Sequence, residues 1–420
     1  MGNATITADV AVIGLGAMGA AALYQLARRG VRAIGIDRFD PPHDRGSSHG
    51  ETRITRQAVG EGALYAPLVL RSHAIWRELE TATGQHLLNA CGGAIIGPVE
   101  RDSSHHGKPD FLKRTVAVAE RFGIAHEVMD RADLMRHFPQ FIGLQDGDMA
   151  CYEPGAGFLY AERCVAAQLS EARRLGARTL TGTTVGGLSQ DAGLIRIATD
   201  AGTVEATRAI VTAGPWIAPL LGAPFNRWLT VSRQVLHWFE AEDPARYRPG
   251  RFPVFIRMHG AGDSDYFYGF PASDGGPCVK LATEHYDHAI QADALDRDVR
   301  AEEAAAMHRD HIAGRLAGVT TRASRSMACL YTNTPDADFL IDTHPAMDRV
   351  LVVSACSGHG FKHSAAIGEQ AAEWFVHGAS TMDLRPFGLV RFGSPATGTR
   401  ALAPAGCVPN DAPVNKESDA

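Results

Sequence analysis

Residues 14 to 19 read GLGAMG, between the apolar, β-branched run ADVAVIG and AALYQLARRG, whose apolar residues recur at helical spacing. VRAIGID follows as a second buried strand and ends in Asp37. Strand, glycine turn, helix and strand in this order open a doubly wound sheet. Gly14 makes the tight turn, Gly16 lets backbone approach a pyrophosphate, and Gly19 permits close helix–strand packing. The helix start offers free N–H groups and partial positive charge to phosphates, while Asp37 suits a ribose and favours FAD or NAD over NADP.

The same architecture returns at the far end, where RVLVVSACSGHGFKHSAAIGEQAAEWFVHG reads as strand, glycine turn and helix. Between the two ends, VSRQVLHWFE, FPVFIRM, DYFYGFP and CVKLATEH have the aromatic and β-branched character of strands. An acidic amphipathic helix is expected around 296–317, and TVEATRAIVTAGPW reads as a strand pair. The organisation predicted is a discontinuous nucleotide domain (1–88, 152–230 and 327–393), a substrate domain (89–151 and 231–326) and a loosely ordered tail (394–420). A net charge of -6 argues against nucleic acid or an anionic membrane as partner. No long apolar run and no leader pattern is present, so a cytoplasmic protein is expected. Seven scattered cysteines, Cys356 and Cys407 among them without CxxC spacing, fit reduced thiols. The histidines of SSHH and HRDH are read as lacking nearby ligands, so no metal site is expected.

Lysine is scarce, and Lys280 and Lys362 lie in apolar or glycine-bounded stretches where a charge is costly unless it has a task. Taken singly, Cys329 reads as a small buried hydrophobe, Tyr268 and Tyr331 as core aromatics, His49 as a structural histidine, and Arg53 and Arg56 as solvated or paired charges.

Taken in order, FDPPH, SHGETRITR, GEG.LYAPLVLRS, SRQV, YGFP, CLYT, FLID.HP and SGHGFK resemble the monomeric sarcosine oxidase and N-methyltryptophan oxidase group, within the D-amino-acid-oxidase-like fold. The resemblance runs from ADVAVIG to about Phe392. It implies an α/β protein, a Rossmann-like FAD-binding domain with an inserted antiparallel β-rich substrate domain. It implies FAD, held at Gly14, Gly16, Gly19, Asp37, Gly358 and Gly360 and bonded covalently through Cys329. It places His49, Arg53 and Lys280 against the flavin ring, Tyr268 and Tyr331 at the pocket wall, and Arg56 and Lys362 at the substrate carboxylate.

The activity implied is oxidation of an N-methyl amino acid by oxygen, in a monomer, giving formaldehyde, the demethylated amino acid and hydrogen peroxide. A cyclic secondary amino acid of the pipecolate or proline type is the alternative. An NAD-dependent dehydrogenase and a non-catalytic flavin-bearing scaffold are rivals. Three departures are expected to touch the pocket. Ser48 stands where the group often has a second histidine. Glu284, followed by His285, stands where a histidine usually follows the strand lysine. The segment PASDGGPC is slightly longer.

Overall fold

The computed structural model describes residues 5–99, 103–262, 264–286 and 288–393. The tail expected to be loosely ordered, with Cys407, lies outside the described residues.

Strand β1 (Ile6–Ile13), helix α1 (Ala17–Arg28) and strand β2 (Ala33–Ile36) form the predicted opening unit. β1 pairs in parallel with β2 on one side and with Gly202–Val211 on the other, and Met347–Ser354 adds next to the latter, also parallel. Alternate residues of β1 feed opposite faces. Val10 and Val12 join a core with Leu23 and Leu26 of α1, whereas Ala11 and Ile13 join Val350 and Val352 on the other face. A strand buried on both faces must be continuously apolar, which is why ADVAVIG shows no polar alternation. Ser364–His377 packs on α1, close enough that a Cβ at Gly368 would lie 2.4 Å from Ala21 Cβ. Three distant segments therefore build one sheet.

Strand β3 (Thr52–Thr55) leaves this layer and pairs with Gly157–Tyr160. The second large sheet runs in the order Val319–Asn333, Thr230–Ala241, Cys278–Ala282, Tyr266–Phe270, Val254–Met258, Gly93–Pro98, Asp148–Glu153, Glu127–Met129. Its pairings are antiparallel except that of Val254–Met258 with Gly93–Pro98. The expected antiparallel insert is thus a mixed sheet, because the segments 89–151 and 231–326 meet at that parallel junction.

Local differences have local causes. Gly202–Val211 is one strand rather than a pair. The helix expected over 296–317 is confined to Ala301–Met307 and a wider turn over His308–Ile312, after Arg300, whose N–H bonds Glu303 across the first turn. The boundary placed between 326 and 327 falls inside Val319–Asn333, which pairs with Thr230–Ala241 from Asn333 back to Val319. Among the described residues no helix is long and apolar enough to cross a membrane.

Candidate active site

The β1–α1 turn works by close approach. Gly14 has φ +89°, and a Cβ there would stand 2.7 Å from Thr212 O; a Cβ on Gly19 would stand 1.8 Å from Gly14 O. No other residue type lets helix and strand meet this closely. The turn opens onto a groove of about 330 Å³ lined by Gly14, Gly16, Asp37, Ser48, Arg53, Tyr331, Cys356, Gly358 and Gly360, among others. Asp37 is fixed there by the N–H groups of Leu15 (2.7 Å) and Phe39 (2.8 Å). The N–H of Ala17, first in α1, points at Ser48 Oγ (3.1 Å).

A smaller cavity of about 60 Å³ shares Arg53, Tyr331, Gly358 and Phe361 with the groove, so the two join. Its walls include Tyr268, Phe270, Lys280, Cys329, Arg56, Glu61, His106, Glu284 and Lys362. β3 and the two strands Tyr266–Phe270 and Cys278–Ala282 carry Arg53, Tyr268 and Lys280 to this wall. Val319–Asn333, at the edge of the same sheet and separated from Cys278–Ala282 by Thr230–Ala241, brings Cys329 and Tyr331, which pair with Gln234 and Ser232.

Of the residues expected at the flavin ring and substrate, the structure brings together Arg53, Arg56, Tyr268, Lys280, Cys329, Tyr331 and Lys362. His49 lines neither cavity: its Nδ1 meets Met327 Sδ at 3.0 Å, and burial pushes its ring down to about 4, with the Arg53 charge adding to the effect. The three departures also part company. Ser48 borders the groove rather than the smaller cavity, and Pro271–Cys278 contributes no residue to the lining of either. His285 is exposed, so the substitution that enters the pocket is Glu284.

Arg56 does not present a free fork. Its Nη2 donates to both oxygens of Glu61 at 2.8 Å and its Nη1 to Ala58 O at 2.8 Å, leaving Nε buried without a partner. Glu61, flanked by Gly60 and Gly62, is a residue the sequence reading overlooked. Burial alone would raise its carboxyl, but Arg56, Lys362 and the His106 contact hold it well below the usual range. Lys362 Nζ donates to His359 O (2.9 Å) and lies 3.4 Å from Glu61 Oε1. Burial lowers this ammonium to about 8, Glu61 pulling it back up and Arg56 pushing it down. A lysine has three protons to give, and two are directed at these partners.

The SSHH histidines do have ligand-type neighbours in space. His105, His106 and Glu284 lie with one ligand-type atom of each within 4.8 Å of the others, and His106 Nδ1 also comes within 3.4 Å of Glu61 Oε1. In the HRDH segment, His311 meets His259 at 3.1 Å. Sequence distance hid these contacts.

Lys280 donates to Gly50 O (2.9 Å) and Thr52 O (2.6 Å) and sits 3.8 Å from the Phe270 ring centroid. Burial, and then the Arg53 charge, push its pKa well below that of an ordinary lysine. Cys329 is likewise not poised as a thiolate: burial pushes its thiol up to about 11, although Arg53 and Lys280 pull the other way.

A glycine turn at a helix start, opening on a groove that joins a buried and charged pocket, fits a redox protein that holds a dinucleotide against a small substrate. The chain belongs to the FAD dependent oxidoreductase family, which it matches over residues 9–374. It is 34% identical over 385 residues to a monomeric sarcosine oxidase of Bacillus sp. (strain NS-129), covering 91% of this chain and 96% of that one. It is 36% identical over 387 residues to an N-methyl-L-tryptophan oxidase of Yersinia pestis (strain Pestoides F), covering 91% and 99%. Its fold matches NikD, an amino acid oxidase essential for nikkomycin biosynthesis, at TM-score 0.77 and 22% identity (91% and 97% covered). Glycine oxidase from Geobacillus kaustophilus matches at TM-score 0.72 and 22% identity (92% and 99% covered).

Proposed function

We propose that this chain is an FAD-dependent oxidase of N-methyl amino acids of the sarcosine or N-methyl-L-tryptophan type. The observation that carries the reading is a lysine, Lys362, buried in the wall of the smaller cavity, which joins a groove that fits FAD. That groove suits the cofactor because Gly14 and Gly19 clear the approach to the start of α1 and Asp37 stands ready for a ribose. Bound flavin supplies a two-electron acceptor that takes hydride from the carbon beside the substrate nitrogen and returns the electrons to oxygen as hydrogen peroxide. Water then hydrolyses the resulting imine to formaldehyde and the demethylated amino acid.

The chain's own residues position the substrate. Lys362 is the principal anchor for the carboxylate and Arg56 adds Nε, since its fork is engaged by Glu61. Tyr268, Phe270 and Tyr331 wall the pocket and keep water from screening those charges. Arg53 and Lys280 are assigned to the flavin side, and Cys329 to a covalent bond with the cofactor. Similarity to two oxidases of N-methylated amino acids over 91% of the chain supports the substrate class.

The test is a panel of N-methyl and cyclic secondary amino acids, read by oxygen consumption and peroxide release. Turnover of one or more N-methyl amino acids is expected. Reduction of NAD without peroxide, or no turnover of any secondary amine by the flavin-loaded protein, would remove the reading.

A further inference from the structure

The smaller cavity is lined by groups of both charges: Lys362 and Arg56, with Glu61 between them, and Glu284, to which the function above gives no part.

The two oxygens of Glu284 are unequally engaged. Oε2 accepts from Tyr266 (2.6 Å) and Tyr286 (2.7 Å) and lies 3.0 Å from His106 Nε2. Among the described residues, Oε1 meets only His106 Nε2, at 3.3 Å. A carboxylate oxygen has two acceptor sites, so Oε1 retains capacity in a place where capacity is seldom left unused.

That oxygen also has a direction. A side chain on Gly358 would begin 2.8 Å from Oε1, and Gly358 borders both the groove and the cavity. The glycine, at φ +80°, thus keeps open the seam beside a fixed carboxylate. The carboxylate cannot swing away easily, because two tyrosine hydroxyls hold its other oxygen and His106 is itself braced by Glu61.

We propose that Glu284 Oε1 receives the cationic nitrogen of the substrate, so that the pocket holds an amino acid by two opposed charges, its carboxylate on Lys362 and Arg56 Nε and its N–H on Glu284. This rests on the amine-oxidase reading and narrows it: the pocket takes the ammonium form and discriminates against ligands of the same shape that lack the charge. Preorganised donors and acceptors of this kind favour a charge without reorganising when it arrives.

The experiment uses flavin-loaded protein and two ligands of one shape, an N-methyl amino acid and its thioether isostere, beginning with N-methylglycine and (methylthio)acetate. The apparent dissociation constant of the amine comes from the concentration dependence of anaerobic flavin reduction. That of the thioether comes from perturbation of the flavin absorbance without turnover. Wild-type protein at neutral pH should bind the amine at least about tenfold more tightly, the effect of one charge-assisted hydrogen bond. Glu284→Gln should weaken the amine roughly ten- to a hundredfold and leave the thioether within a factor of two or so. Indifference of the wild type to the exchange of NH for sulfur overturns the proposal without needing any variant. Equal weakening of both ligands by Glu284→Gln overturns it too, by making Glu284 a support of the pocket. One zinc ion per chain, lost in His105→Ala, would also overturn it, because the carboxylate would then be a metal ligand. If the wild type is reduced by no secondary amine at all, it is the underlying oxidase reading that falls.

Discussion

Raising the pH through the range in which Lys362 loses its proton should release a carboxylate ligand. Burial brings that ammonium from 10.5 to about 8, so it is largely charged at pH 7 and largely neutral at pH 9. Only the charged form attracts the ligand, hence affinity is full below about 8 and declines above it. A hydrogen bond between charged groups contributes about 1.5–3 kcal/mol, equivalent to raising the lysine by roughly one to two pKa units in the complex. Affinity should therefore fall about tenfold per pH unit above 8 and level off after a total loss of roughly ten- to a hundredfold. (Methylthio)acetate is the right probe, since it has no amine to titrate. Its dissociation constant, read from flavin absorbance between pH 6 and 10, should follow this curve, while Lys362→Met should start from the weakened value and show no slope. A constant affinity from pH 7 to 10 would refute the reasoning, as would a variant that keeps the slope.

Three other outcomes are expected. Acid-precipitated holoprotein should stay yellow, Cys329→Ser should release its flavin and Cys356→Ser, though that thiol lines the larger groove, should retain it; a colourless wild-type pellet ends the covalent assignment. Glu61→Gln should lower stability by about 3–5 kcal/mol in denaturant titration, because it leaves Arg56 and Lys362 buried without their counter-charge. Since the folded pKa of Glu61 is depressed, that contribution is present above about pH 4.3 and is lost as the pH falls towards the folded value, and a cost below about 1 kcal/mol at pH 7 would contradict it. Lys280→Met should slow turnover with oxygen by about two powers of ten and spare turnover with a dye acceptor, because a cation ~5 Å from nascent superoxide at an effective dielectric near 20 contributes about 3 kcal/mol. Equal effects on both acceptors would remove the oxygen role from Lys280.

The parts of this fold legible in the sequence are those written in adjacent residues. GLGAMG between two apolar runs leaves the chain few alternatives, and the structure has the expected strand, helix and strand. The β-rich stretches were equally visible, but their neighbours were not: nothing local says that Val254–Met258 lies in parallel beside Gly93–Pro98. The site divides in the same way. Arg56, Lys280 and Lys362 stand out by type and setting. Their partners do not, because His106 and Glu284 are 178 positions apart and Lys362 and Glu61 are 301 apart. Burial also outweighs charge at Cys329, whose thiol is pushed up although Arg53 and Lys280 lie near it.

The sheet drawn from three distant segments sets an order on synthesis. β1 and α1 leave the ribosome early, but the helix that covers α1 begins at Ser364 and the strand beyond Gly202–Val211 begins at Met347. At roughly 5–20 residues per second, those partners arrive ~15–70 s after α1. For that interval the groove lacks the part of its lining that runs from Val353 to Phe361, and the buried face of α1 is without its cover. A nascent protein halted before Met347 thus carries the whole β1–α1–β2 signature with the groove beside it still open along the stretch that Val353 to Phe361 would close.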